Sequence, residues 1–249
     1  MKPSGNTSTS SKWIVTGVSW GSALALAYAL MHPHRVHGPA LMAVTTTSRE
    51  EVDWTTEGME RIYPEAWHEF SVASGAIARE RPVEAYARRL AAEAWDRWES
   101  WHVSLLSPEL RGEYIAEERR RMTFALLVTH YWSNEGFLSN GQEILGRIHE
   151  LDRIPGHLIH GRRDVSGPAV TPWKLHQRWC GSKLTIVEDE GHAGSQSLQA
   201  LVAAAQEIRA GLQDCYLPGP LPRPRRQVFP SSPERSWNGT TRKQKTYPL

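Results

Sequence analysis

The most constraining feature of the chain is the pentapeptide Gly17-Val18-Ser19-Trp20-Gly21, because of what stands on either side of it. Before it, Trp13-Ile14-Val15-Thr16 is a short apolar, β-branched run of the kind that suits a buried parallel strand. After it, Ser22 to Met31 is rich in helix formers, and His32-Pro33 stops it, since the residue before a proline is pushed out of the helical region. Leu41 to Val44 reads as a second short strand. The unit is strand, tight turn, helix, strand, which is the setting in which G-x-S-x-G presents a serine as a nucleophile. Glycines suit that turn because neighbouring side chains would collide on it.

Between about Ser48 and Glu150 the pattern is helical throughout, with Trp and Tyr scattered among charged runs such as Ala85–Trp101 and Gly112–Thr129. Strand character returns at His157–His160, after Ile154-Pro155-Gly156, and again at Leu184–Val187, with a helical Thr171–Cys180 between them and an amphipathic Leu198–Leu212 at the end. Strands alternating with helices argue for an α/β fold whose parallel sheet is covered on both faces, here with an all-helical insertion lying over it. A chain of 249 residues suffices for one sizeable core and a smaller inserted lobe.

The net charge of +2 hides an asymmetry: residues 217–249 hold seven Lys/Arg against the single acid Glu234, so that segment carries +6 and residues 1–216 carry −4. A nucleic-acid face would concentrate Lys and Arg on the folded part, so no nucleic-acid partner is expected for the body. The Pro-rich run from Leu217 to Arg226 lacks the donors and the apolar surface for regular structure, and 217–249 reads as a disordered basic tail. Cys180 and Cys215 are too few for a disulfide framework or a zinc site, which points to the cytoplasm. No run has signal-peptide or membrane-spanning character, so no membrane is expected.

A serine hydroxyl is a weak nucleophile near neutral pH and needs a base, which in turn needs a carboxylate to hold its tautomer. Where a G-x-S-x-G serine leads, the acid and the histidine follow in that order. Asp164, in His160-Gly161-Arg162-Arg163-Asp164, falls just beyond one strand, and His192, in Glu190-Gly191-His192, just beyond the next, at the sheet edge where sites of parallel sheets lie. Asp152 reads as a turn residue and Asp189 as a solvated loop acid. His160 reads equally as an orienting neighbour of Asp164 and as a satisfied core histidine.

Several segments together resemble the prolyl aminopeptidase (proline iminopeptidase) family: Gly17-Val-Ser-Trp-Gly-Ser22 with the following Leu-Ala-Leu-Ala-Tyr-Ala, His32-Pro33 with Arg35-Val36, Trp95 with Trp98-Glu99, Thr129-His130-Tyr131-Trp132, and His160-Gly161-Arg162 with Asp164 and Gly191-His192. The resemblance covers about residues 12–212, cap included. It implies an α/β-hydrolase parallel sheet, incomplete because the early strands are missing, with an inserted all-helical cap. The expected division is core at 1–47, cap at 48–150, the rest of the core at 151–216 and the tail at 217–249. The resemblance further implies a triad of Ser19, Asp164 and His192, an oxyanion donor in the Trp20 N–H, and release of an amino-terminal proline through an acyl-enzyme. Glu99 stands at a cap position that holds the substrate amine, while Val128 and Met42 stand where the family carries a second glutamate and an arginine. That loss of charge makes broader amidase or esterase activity on peptides or small amides and esters a reading of its own. Trp132 and Phe137 are expected near the ligand, and no cofactor or metal is expected.

The family's His-Gly-Gly-Pro-Gly segment, which supplies the second oxyanion N–H, is not present among the eighteen residues before Ser19. Loss of one such donor costs on the order of 3 kcal/mol of transition-state stabilisation. Two further readings therefore stand beside the enzyme: a truncated, inactive hydrolase fragment or binding module, and a polyanion binder using the tail. Lys2–Ser11 does not look like family sequence, and nothing in the chain speaks to oligomeric state.

Overall fold

A computed structural model of the chain describes residues 12–103, 115, 117–138 and 143–214. The expectations for Lys2–Ser11, for Cys215, for part of Gly112–Thr129 and for the tail lie outside these residues. Within them, strands β1 (Trp13–Val18), β2 (Val36–Met42), β3 (Gly156–Gly161) and β4 (Ser182–Val187) form one parallel sheet in the order β1-β2-β3-β4. Helix α1 (Trp20–Met31) links the first two strands. Between β2 and β3 come α2 (Arg49–Thr56), α3 (Pro64–Ser74), α4 (Pro82–Arg89), α5 (Ala92–Val103), α6 (Glu118–Ser133) and the short α7 (Ile144–Arg147). Helix α8 (Val170–Arg178) joins β3 to β4, and α9 (Ser195–Asp214) follows.

Both faces of the sheet are covered. On one, Leu26 and Leu30 of α1 pack with Leu151, Leu158, Leu175 and Trp179; on the other, Leu201, Ala204 and Ile208 of α9 pack on Met42 and Ile159. The helices after β2 bury aromatic rings of their own: Phe70 stacks on Tyr86 at 4.6 Å and on Trp98 at 5.1 Å, and Trp95 meets Tyr86 edge-on at 5.2 Å. Such offset and edge-to-face pairs add to the area they bury.

Two boundaries differ from the sequence reading. The second strand begins at Val36 rather than Leu41, although Gly38-Pro39 looks like a turn. A side chain at position 38 would stand 2.5 Å from Pro155 O, so the glycine is there for a close approach of backbone and not for a turn. The run Ala85–Trp101 is two helices, because Leu90 adopts φ 48° and its N–H closes on Tyr86 O at 2.7 Å. Leu-Ala-Ala has good helix propensity, which hides that break.

Candidate active site

Ser19 sits between the last residue of β1 and the first of α1 with φ 54° and ψ −127°, a conformation that costs a non-glycine residue about 1–3 kcal/mol and must be held by its surroundings. Its N–H donates to Met42 O at 3.0 Å, and its carbonyl accepts from Ser22 N at 2.8 Å and Ser22 Oγ at 2.6 Å. The two glycines of the motif are not equivalent. A Cβ on residue 17 would lie 2.2 Å from Gly21 O, which excludes any side chain, whereas a Cβ on residue 21 meets nothing within 4 Å. The expectation that both glycines relieve a collision thus holds for Gly17 and not for Gly21.

The ends of β3 and β4 bring the other two residues to the serine. His192 Nε2 is 2.8 Å from Ser19 Oγ, and its Nδ1 is 2.9 Å from Asp164 Oδ2. Burial alone pushes the Asp164 carboxyl up, but the adjacent His192, the hydrogen bond between them, His160 and the Gly167 N–H together hold it below the ordinary carboxylate range. For His192, burial disfavours the charged ring, and the Asp164 charge and hydrogen bond, aided by Glu99, outweigh it and raise the pKa. A buried carboxylate thus opposes an imidazole that gains stability when charged, as a general base must during attack.

Two residues hold this arrangement in place. His160 Nδ1 accepts the Val44 N–H at 3.0 Å, which leaves Nε2–H to donate to Gly167 O at 2.6 Å, so the ring is neutral and fully bonded. It also fixes the Asp164–Gly167 loop, whose Gly167 N–H donates to Asp164 Oδ1 at 3.0 Å. The two sequence readings of His160, orienting neighbour and satisfied core residue, describe one geometry. Glu190 was not singled out from the sequence; its carboxylate accepts from Gln196 N and Ser197 N, both at 2.8 Å, and from Ser197 Oγ, at the start of α9. An acid a few residues before a helix carrying serines in its first turn is the signal that was there to find.

The pocket over Ser19 is lined by His192, Trp20, Glu99, Val128, Trp132 and Phe124, with Thr45, Thr47, Thr55 and Ser166 as polar groups and a second carboxylate, Glu51, whose oxygens accept from Thr45, Thr46 and Ser48. Glu99 and Trp132 both stand in this lining. Phe137 is not: it stands 54% exposed on a turn with φ 59°, against Tyr131 at 5.4 Å. Glycine at 136 with φ 63° turns the chain there and carries the ring outward. Burial raises the Glu99 carboxyl to about 7, with His192 opposing that shift and Asp96 adding to it. Val128 puts an apolar wall where a second carboxylate was expected to be missing, and Met42 is core under α9.

Trp20 is the first residue of α1, where an N–H has no acceptor within the helix and the helix end favours negative charge. In the loop after β2, by contrast, every N–H is bonded: Ala43 to Ile159 O, Val44 to His160, Thr45 to Ser22 Oγ, Thr46 to Glu51 and Thr47 to Thr45 Oγ1. Among the described residues no group of three or more His, Cys, Asp or Glu is placed to hold a metal, and no helix is long and apolar enough to cross a membrane.

The fold and the serine–histidine–aspartate geometry can now be set beside known proteins. A family model described as the alpha/beta hydrolase fold matches residues 6–195. The proline iminopeptidase of Arabidopsis thaliana is 35% identical over 214 residues, covering 80% of this chain and 56% of its own. A probable proline iminopeptidase of Streptomyces coelicolor is 36% identical over 215 residues (80% and 66%), and the proline iminopeptidase of Xylella fastidiosa 33% identical over 213 (79% and 67%). The chain belongs to the α/β-hydrolase fold family and, within it, to the proline iminopeptidases. It spans between 56% and 67% of the length of these relatives.

Proposed function

We propose that the chain is a serine hydrolase of the prolyl aminopeptidase type, acting on the amino-terminal residue of a peptide or small amide. The observation that carries this reading is the continuous line Ser19 Oγ, His192, Asp164, with spacings of 2.8 and 2.9 Å, beneath a pocket that holds a carboxylate. On this reading His192 takes the Ser19 proton as Oγ attacks the scissile carbonyl, and the Trp20 N–H faces the oxyanion that develops. His192 then returns the proton to the leaving amine, an acyl-enzyme forms on Ser19, and water releases it by the same route in reverse. Glu99 receives the substrate's ammonium, and Val128, Phe124 and Trp132 receive an apolar ring or side chain. The helices from 48 to 150 act as a cap domain on a core made of the flanking segments.

With Glu51 engaged by Thr45, Thr46 and Ser48, Glu99 is the carboxylate left for an amine, and an apolar Val128 in the same lining supports a wider range of substrates than proline alone. One ionic contact places an amine with less discrimination than two, so small amino-terminal residues and acyl esters are expected to turn over as well. The test is hydrolysis of prolyl, alanyl and acyl-ester chromogenic substrates by the purified chain, with Ser19→Ala as control. Turnover abolished by that change supports the reading, and the order of the three substrates ranks the specificity. Absence of turnover from folded protein would contradict it.

A further inference from the structure

Helix α5 carries Glu99 and His102 three residues apart, on neighbouring turns. Glu99 lines the pocket, whereas His102 is 1% exposed and lies outside the lining. The Nδ1 of His102 is 2.9 Å from Ser166 Oγ, and its Nε2 is 3.8 Å from Glu99 Oε2. Among the described residues neither Nε2 of His102 nor Oε2 of Glu99 has a hydrogen-bond partner within 3.5 Å, although both are shut away from solvent; the Trp95 side-chain N–H also bears on the Glu99 carboxyl and favours its ionised form. Leaving two such atoms unbonded side by side is costly, and the natural relief is for them to bond to each other.

The tautomer decides whether they can. If Nδ1–H donates to Ser166 Oγ, the Nε2 lone pair faces an oxygen of Glu99, and once that carboxyl is ionised the two repel. With the Ser166 hydroxyl donating to Nδ1, the ring proton sits on Nε2 and points to Glu99. The charged groups that bear on the pair are Asp96 of the same helix and Asp164 and His192 of the strand-end loops. Burial, with the His192 charge, holds the His102 ring neutral by lowering its pKa to about 3.

We propose that His102 is the positioning residue of the amine site: Ser166 orients its ring, its Nε2–H engages Glu99 Oε2, and the other carboxylate oxygen is thereby left for the substrate ammonium. The inference rests on the amine-recognition reading of the pocket. Val128 contributes no charge and the other carboxylate of the lining, Glu51, is taken up by Thr45, Thr46 and Ser48, so Glu99 is the acid left to answer the ammonium. Ser166 also belongs to the loop that carries Asp164: its carbonyl accepts from Thr55 Oγ1 at 3.2 Å, and the next residue, Gly167, bonds Asp164.

The experiment has two arms on the full chain. In the first, His102→Leu raises KM for a prolyl amide about tenfold and leaves kcat/KM for an uncharged acyl ester within about twofold, while His102→Gln, which returns an N–H near the Nε2 position, restores most of the loss. Equal losses on both substrates, or an unchanged KM in the leucine variant, overturn the proposal. In the second arm, nitrogen-15 NMR of histidine-labelled protein shows His102 as the neutral Nε2–H tautomer from about pH 8 to 9, where Glu99 is ionised. The Nδ1–H tautomer, or a charged ring in that range, overturns it even if the leucine variant does not fold. A wild-type chain without Ser19-dependent turnover sinks the hydrolase reading instead, and the tautomer still decides the role of His102.

Discussion

His192 must be neutral to accept the serine proton, and Glu99 must be ionised to hold an ammonium, so both must lose a proton before an amine substrate turns over. For an uncharged ester only His192 matters, so kcat/KM should rise with pH through an apparent pKa above the ordinary 6.5. A prolyl amide adds the Glu99 proton at about 7, and its acid limb should be steeper, with a slope approaching about two if the coupled pair titrates together. Glu99→Gln should give both substrates the same profile and raise KM for the amide alone. The same carboxyl affects stability. Because its folded pKa of about 7 lies above the unfolded 4.5, the folded state holds that proton more tightly, and stability falls as pH rises across this interval. Melting curves should therefore show Glu99→Gln more stable than wild type above pH 7, by up to about 3 kcal/mol, with no difference below about 4.5. At this scale Ser19, Asp164 and His192 were legible because each stands beside a strand end with its motif. His102 and Glu190 were not, since a lone histidine on a helix and an acid in a loop acquire meaning only from the partners the fold supplies.

The turn between β1 and α1 depends on one glycine more than on two. Gly17→Ala would force a methyl group against Gly21 backbone at 2.2 Å and should displace Ser19, with loss of turnover and of folding cooperativity in thermal melts. Gly21→Ala meets open space in a helix and should be neutral or stabilising by about 0.5 kcal/mol, measured in the same melts. The elements themselves were readable where apolar runs are bounded by proline or glycine, as at Trp13–Thr16 and His157–His160. The break at Leu90 was not, because a left-handed conformation at a leucine packed against the aromatic cluster of the helical lobe leaves no mark on propensity.

For the molecule as a whole, the alternation of strands and helices sufficed to read a parallel sheet with a helical insertion, while the position of the pocket emerged only once α2, α5 and α6 were laid over the strand ends. Within the described residues β1 is an edge strand, and Trp13, Val18, Leu24 and Met31 on or beside it are between 43% and 65% exposed. The central claim is that Ser19 is a nucleophile activated by His192. Intact-mass spectrometry after reaction with a fluorophosphonate tests it most directly: one adduct, mapped to Ser19, absent in Ser19→Ala and strongly slowed in His192→Ala, is the predicted result. No adduct on a folded chain, or an adduct that ignores the loss of His192, would contradict the account.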